Sequence, residues 1–123
     1  MKLRIQENSL RLRLTQKEVA QLRDRNRVES SIEFGPGRTL VYKLEGSFRD
    51  KVVTANFEGQ TIHVMVPMQV MRGWIESDQV SIEALSQASM QLLIEKDFQC
   101  LHKSDEQDPD AYPNPLANTL ECE

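Results

Sequence analysis

The sequence predicts a strand-rich α+β fold, a tandem ββαββ repeat paired into one pseudo-dimeric unit with two short helices. Three observations predict it. Apolar positions recur after 52 residues without a gap: Leu10, Leu12 and Leu14 map onto Ile62, Val64 and Val66, and Val19, Leu22 and Val28 map onto Met71, Trp74 and Val80. Leu40, Val41 and Tyr42 likewise meet Leu92, Leu93 and Ile94, and Ile5 meets Phe57. Most of the chain alternates apolar and polar residues, the period of a half-buried strand. Each half also carries one short helix start directly after its second strand, a capping box at Thr15 and a proline at Pro67.

The elements follow in order. Leu3 and Ile5 give a first strand, and Glu7-Asn8-Ser9 is turn chemistry in which Asn tolerates left-handed backbone. Leu10, Leu12 and Leu14 give a second strand with Arg11 and Arg13 outward. The change of apolar parity across the turn suits a hairpin or a bulge. Thr15 and Glu18 stand at capping-box spacing, and Leu14 and Val19 at the spacing of a hydrophobic staple. Arginines and Asn26 close the first helix. Val28 to Phe34 and Thr39 to Leu44 are strands around the Gly35-Pro36-Gly37 turn. Lys51 to Phe57 and Thr61 to Val66 form the next hairpin around Glu58-Gly59-Gln60. Met68, Met71, Trp74 and Ile75 make the apolar face of the second helix, which Ser77-Asp78 ends. Gln79 to Leu85, with Val80, Ile82 and Ala84 on one face, and Met90 to Lys96 are the last strands.

A unit of some fifty residues has too small a core to stand alone and must pair with its twin. Residues 1–98 are therefore expected to form one domain of two repeats, 1–50 and 51–98, followed by an acidic, proline-containing tail over 99–123. The first half of that tail is expected to dock through Leu101 and Tyr112, and the rest to fray after Pro115.

The run Ile62-His63-Val64-Met65-Val66-Pro67, with Val70 and Trp74 three and seven residues after the proline and then Ser77-Asp78-Gln79-Val80-Ser81-Ile82-Glu83, resembles the AbrB-like swapped-hairpin domains. That resemblance implies two ββαββ units interlocked in a barrel and covers residues 1–98. The chain departs from the pattern at Ser77, where the family has Gly, and in the first copy at Thr15 and Asn26. DNA-binding members use basic residues on the first hairpin and near the helix. Arg4, Arg11, Arg13, Lys17 and Arg23 occupy such positions here, whereas the second copy has His63, Met65, Gln69 and Ile75 at the offsets of the last four. The alternating basic start, the run Glu95 to Leu101 and Tyr112-Pro113-Asn114-Pro115 are also similar to a family of small bacterial proteins of unknown function, which implies no activity.

Charge is unevenly spread. Residues 1–52 hold twelve Lys and Arg against seven Asp and Glu, and residues 53–123 hold three against twelve. Such asymmetry marks either an interaction face or two halves that attract each other. No apolar run approaches the roughly eighteen residues of a membrane helix, and the alternating start lacks the apolar stretch of a signal peptide. Two cysteines, Cys100 and Cys122, build no disulfide framework, which places the chain in the cytoplasm by default.

No catalytic or cofactor signature emerges. Cys100, His102 and Asp105 gather metal-ligand types in the tail, and Cys100 beside His102 is also the one thiol–imidazole pair, but a solvated tail explains them as well. His63 lies between two inward residues and so faces away from their side. The Arg4, Arg11 and Arg13 row suits phosphate contacts or the protection of an edge strand. The leading expectation is a small non-enzymatic binding or regulatory module without cofactor, a monomer or weak homodimer whose partner is a protein or nucleic acid. A nucleic-acid-binding regulator using the basic first repeat comes second, and a metal- or thiol-dependent activity in the tail third.

Overall fold

A computed structural model describes residues 1–98, Asp110, Tyr112 and Pro113. The chain runs β1 (Lys2–Gln6), β2 (Ser9–Leu14), α1 (Gln16–Arg25), β3 (Arg27–Gly35), β4 (Arg38–Ser47), β5 (Thr54–Glu58), β6 (Thr61–Pro67), α2 (Met68–Ile75), β7 (Ser81–Leu85) and β8 (Gln91–Lys96). The fold is a strand-rich α+β arrangement with two four-stranded sheets, ordered β1-β2-β8-β7 and β3-β4-β6-β5. Among the described residues no helix is long and apolar enough to cross a membrane.

Each sheet joins two antiparallel hairpins through a central parallel pair. Sheet one couples β1–β2 to β7–β8 through β2–β8, and sheet two couples β3–β4 to β5–β6 through β4–β6. Each sheet thus takes one hairpin from either half of the chain. Hairpin registers match at the 52-residue offset: Leu3↔Leu12 corresponds to Ala55↔Val64, and Ser30↔Tyr42 to Ile82↔Ile94. The parallel pairs do not match. Leu10 lies opposite Leu92 in sheet one, which would place Ile62 opposite Leu40, yet Ile62 lies opposite Tyr42. That slip of two residues preserves which side chains face inward, because side chains alternate with a period of two.

The turns are matched as well. Glu7 adopts a left-handed φ of 50° where the corresponding Gly59 has 57°, and Ser89 has 62° where Gly37 has 68°. Left-handed backbone falls on Glu7, not on the adjacent Asn8 that the sequence favoured.

The inner faces and both helices meet in one core. Leu10, Leu12, Leu14, Val28, Leu44, Val64, Val66, Ile82, Leu92 and Ile94 come from the strands, Leu22 from α1, and Met71 and Trp74 from α2. The expected closed barrel is not what forms. β1, β7, β3 and β5 are edge strands, and among the described residues no ladder joins one sheet to the other. At β5 the position of a further strand is taken by the Gln87 side chain, whose Nε2 donates to Ala55 O at 2.8 Å.

Other expectations need correcting. Val80 is half exposed because β7 begins only at Ser81, and its carbonyl accepts from Trp74 Nε1 at 3.0 Å and Lys96 N at 3.1 Å. Val70, three residues after the proline in the resemblance, is 40% exposed, while Met71 and Trp74 of the expected apolar face fill the core. α2 ends at Ile75, before Ser77-Asp78. Tyr112 is 95% exposed and anchors nothing, while Leu101 and Pro115 lie outside the described residues.

Both helix ends follow from the sequence. α1 starts at a complete Thr15/Glu18 capping box and stops at left-handed Asn26, whose N–H donates to Leu22 O at 2.8 Å. Asn26 then pins the helix to β4: its Nδ2 donates to Gly46 O at 2.9 Å and its carbonyl accepts from Gly46 N at 3.2 Å. A Cβ at Gly46 would run into Met68 Sδ and Asn26 Oδ1, so only glycine permits this junction. Gly46→Ala is expected to lower stability by about 1–3 kcal/mol, the range for overpacking a closed site. Glu7→Gly is expected to raise it by about 1 kcal/mol, because the left-handed region costs a side-chain-bearing residue roughly that much. Urea unfolding of both variants measures the two shifts; midpoints moving the other way would contradict the geometry.

Candidate functional site

The outer face of sheet one carries the basic row. Lys2 and Arg4 on β1 stand directly opposite Arg13 and Arg11 on β2, and Glu95 of β8 lies beside Arg13 on the far side. Arg13 Nε donates to Glu95 Oε1 at 2.9 Å, and Arg11 Nε lies 3.5 Å from the same oxygen. Lys2 Nζ pairs with Asp97 at 3.1 Å. Arg4 is exposed and makes no ion pair among the described residues. The structure therefore brings Arg4, Arg11 and Arg13 together but neutralises two of them from within. Lys17 and Arg23 are exposed on α1, where Arg23 lies 3.4 Å from its neighbour Asp24. Lys2 completes the row; its parity with Arg4 on an alternating strand was the signal for it.

The outer face of sheet two holds His63, half-buried, with Nε2 at 2.9 Å from Glu45 Oε1. His63 thus faces outward on β6, as its alternation implied. Among the described residues no group of three or more His, Cys, Asp and Glu is arranged to hold a metal ion. Cys100, His102 and Asp105 lie outside the described residues.

The start of α1 is electrostatically tight. The Glu18 carboxylate receives the N-terminal amine of Met1 as well as the Thr15 N–H at 2.9 Å. Met1 is held in turn by Tyr42, whose hydroxyl donates to Met1 O at 2.9 Å. Burial alone would raise the Glu18 carboxyl, but the hydrogen bonds from the amine and Thr15, with the amine's charge, outweigh it and hold the group below its ordinary value of 4.5.

The end of the molecule away from the helices is different in character. There the hairpin turns leave an apolar cleft of about 410 Å³ between the sheets, lined by Ile5, Leu10, Leu40, Phe57, Ile62 and Met90 with Glu7, Ser9, Ala55 and Asn56. Ile5 and Phe57, at corresponding positions of β1 and β5, are 61% and 68% exposed. Leu10 and Ile62 correspond in the same way on β2 and β6. Phe57 and Leu40 also line a shallower depression that continues to Phe34 and Arg38. Inward parity is kept along these strands, but the outer rows extend past the covering sheet. An exposed apolar surface contributed by several strands is uncommon on a molecule with no partner for it.

An open apolar cleft thus lies at the turn end, and a basic row lies on the outer face of sheet one. The chain belongs to a family of unknown function (DUF7009), whose model matches residues 1–116. No curated protein and no solved structure matches it.

The depressed Glu18 carboxyl fixes the sign of one pH effect. Its contribution to stability is fully present above the ordinary glutamate value and is lost as pH falls through the lower folded value. Thermal unfolding from pH 6 downward is expected to show Glu18→Gln converging on the parent protein in acid; a constant gap at all pH values would contradict the assignment.

Proposed function

We propose that the chain is a non-enzymatic binding module that seats apolar side chains of a partner polypeptide in the turn-end cleft. The single observation that carries this reading is the pair of exposed, corresponding side chains Ile5 and Phe57 over Leu10 and Ile62. A small-molecule site encloses most of its ligand and sets a few polar groups to orient it. This cleft is open, its polar residues sit among the turns and edge strands, and its wall ends at an edge strand. A polypeptide, which brings its own backbone donors and acceptors, suits it better.

The architecture behind the reading is a tandem one. Residues 1–98 form one domain of two ββαββ repeats, 1–50 and 51–98, with hairpins exchanged between them in the manner of the swapped-hairpin domains, and 99–123 is an appended tail. Matching hairpin registers and the Glu7/Gly59 and Ser89/Gly37 turns support it. A cytoplasmic setting and a monomer or weak homodimer remain the working assignment. The alternative, a nucleic-acid-binding regulator using Arg4, Arg11, Arg13, Lys17 and Arg23, has less support, since Glu95 already engages Arg11 and Arg13.

The hydrophobic dye anilinonaphthalene sulfonate tests the cleft. Phe57→Ser is expected to weaken dye binding about tenfold, the value of one large apolar contact. Phe48→Ser, at an equally exposed phenylalanine near the helices, is expected to leave it unchanged. Equal effects from both variants, or no binding at all, would remove the cleft as the site.

A further inference from the structure

We propose that the free edge of β1 accepts an extended segment of a partner protein as a fifth strand of sheet one, and that this segment alternates acidic with apolar residues. The inference rests on the cleft reading above, because the added strand continues the apolar inner face that lines the cleft.

Backbone phase comes first. β1 and β2 are joined by the two-residue turn Glu7-Asn8, so Gln6↔Ser9 is the hydrogen-bonded pair that closes it. Alternation then directs the N–H and C=O of Lys2, Arg4 and Gln6 toward β2, and those of Leu3 and Ile5 away from it. β5 shows the same phase directly. Ala55, which corresponds to Leu3, offers both backbone groups outward: its carbonyl accepts from Gln87 Nε2 at 2.8 Å and its N–H donates to Gln87 Oε1 at 3.4 Å.

The two edges differ in what covers them. On β5 the Gln87 amide supplies one donor and one acceptor, as a further strand would. The residue 52 positions before Gln87 is Gly35, which has no side chain to offer β1. Sheets ordinarily blunt their edges. β5 is blunted by an amide, whereas among the described residues nothing bonds the outward backbone groups of β1 at Leu3 and Ile5.

Side chains then select the partner. Lys2 and Arg4 project from the outer face of this edge; Lys2 already pairs with Asp97 at 3.1 Å, so Arg4, which makes no ion pair among the described residues, is the charge open to a partner. Opposite charges directly across a ladder stabilise it and like charges oppose it. Two β1 edges would therefore repel one another, which disfavours a second copy, while acidic residues on an incoming strand would be favoured. On the inner face Leu3 is half-buried and Ile5 largely exposed, so the intervening residues of the strand should be apolar. Main-chain bonds supply affinity in such strand addition, and alternate side chains supply specificity.

Amide hydrogen exchange on the full chain, read by NMR, tests the proposal with synthetic peptides alternating Glu with Val or Lys with Val. The Glu–Val peptide is expected to slow exchange at Leu3 and Ile5 by about tenfold or more, and the Lys–Val peptide is not. N-methylation of the peptide amides that face β1 should abolish the effect, and methylation of the alternate amides should not. Dye binding without protection by either peptide would overturn the strand while leaving the cleft; loss of both would overturn both. Protection indifferent to N-methylation would mean side-chain docking alone and would also overturn it. So would protection present before peptide is added: if independent of protein concentration it assigns the edge to the chain's own tail, and if growing with concentration, to a second copy.

Discussion

The parallel ladders β2–β8 and β4–β6 are the constraint on which the molecule depends. Each is the only hydrogen-bonded link between the hairpins of its sheet among the described residues. Each also joins chain segments from different halves, so neither half owns a sheet. Leu10 against Leu92 and Leu44 against Val64 place buried side chains on both sides of these seams. Removing either ladder would expose two inner faces and uncover the helices that rest on them. Parallel pairs of this kind are ordinarily covered on both faces. Here the outer faces stay open to solvent, and charge and hydrogen-bonding pairs such as Arg13–Glu95 and His63–Glu45 occupy them instead.

Much of this was legible in the sequence. The capping box, the stop at Asn26, both helices and all eight strands are written in local chemistry. At the 52-residue offset the hairpin registers correspond, while the parallel pairs slip by two residues. What alternation cannot report is partnership and depth. Periodicity places Leu10 and Ile5 on one face but does not say that the first buries and the second stays open. The same limit explains Val80: its spacing was right, and the start of β7 at Ser81 decided its exposure. The barrel failed as an expectation for a related reason, because closure depends on edges meeting and no residue pattern encodes that.

The candidate surfaces were less legible than the fold. The basic row was visible as Arg4, Arg11 and Arg13, but its counter-ion Glu95 sits more than eighty residues away in the chain and is adjacent only through the parallel ladder. The cleft was hidden in plain alternation, since Ile5, Phe57 and Ile62 read as ordinary core. It took the two-sheet arrangement to show that the turn end is uncovered. Gln87 carried no signal at all; its role depends on where a turn of one sheet meets the edge of the other.

The interleaved seams also impose an order on synthesis. The second sheet has all its strands once Pro67 has been made, whereas the first must wait for β8 to finish at Lys96. During that interval β1 and β2 leave the ribosome with Leu10, Leu12 and Leu14 still lacking the strand that covers their flank. A nascent chain in this state presents a short, basic, apolar-faced hairpin to whatever is nearby. Long-range parallel pairing is slow to form and is prone to misassociation while it waits. The arginines on the outer face of β2 and the lysine at the start of β1 would then act as a safeguard, keeping two unfinished chains apart until each can close on itself.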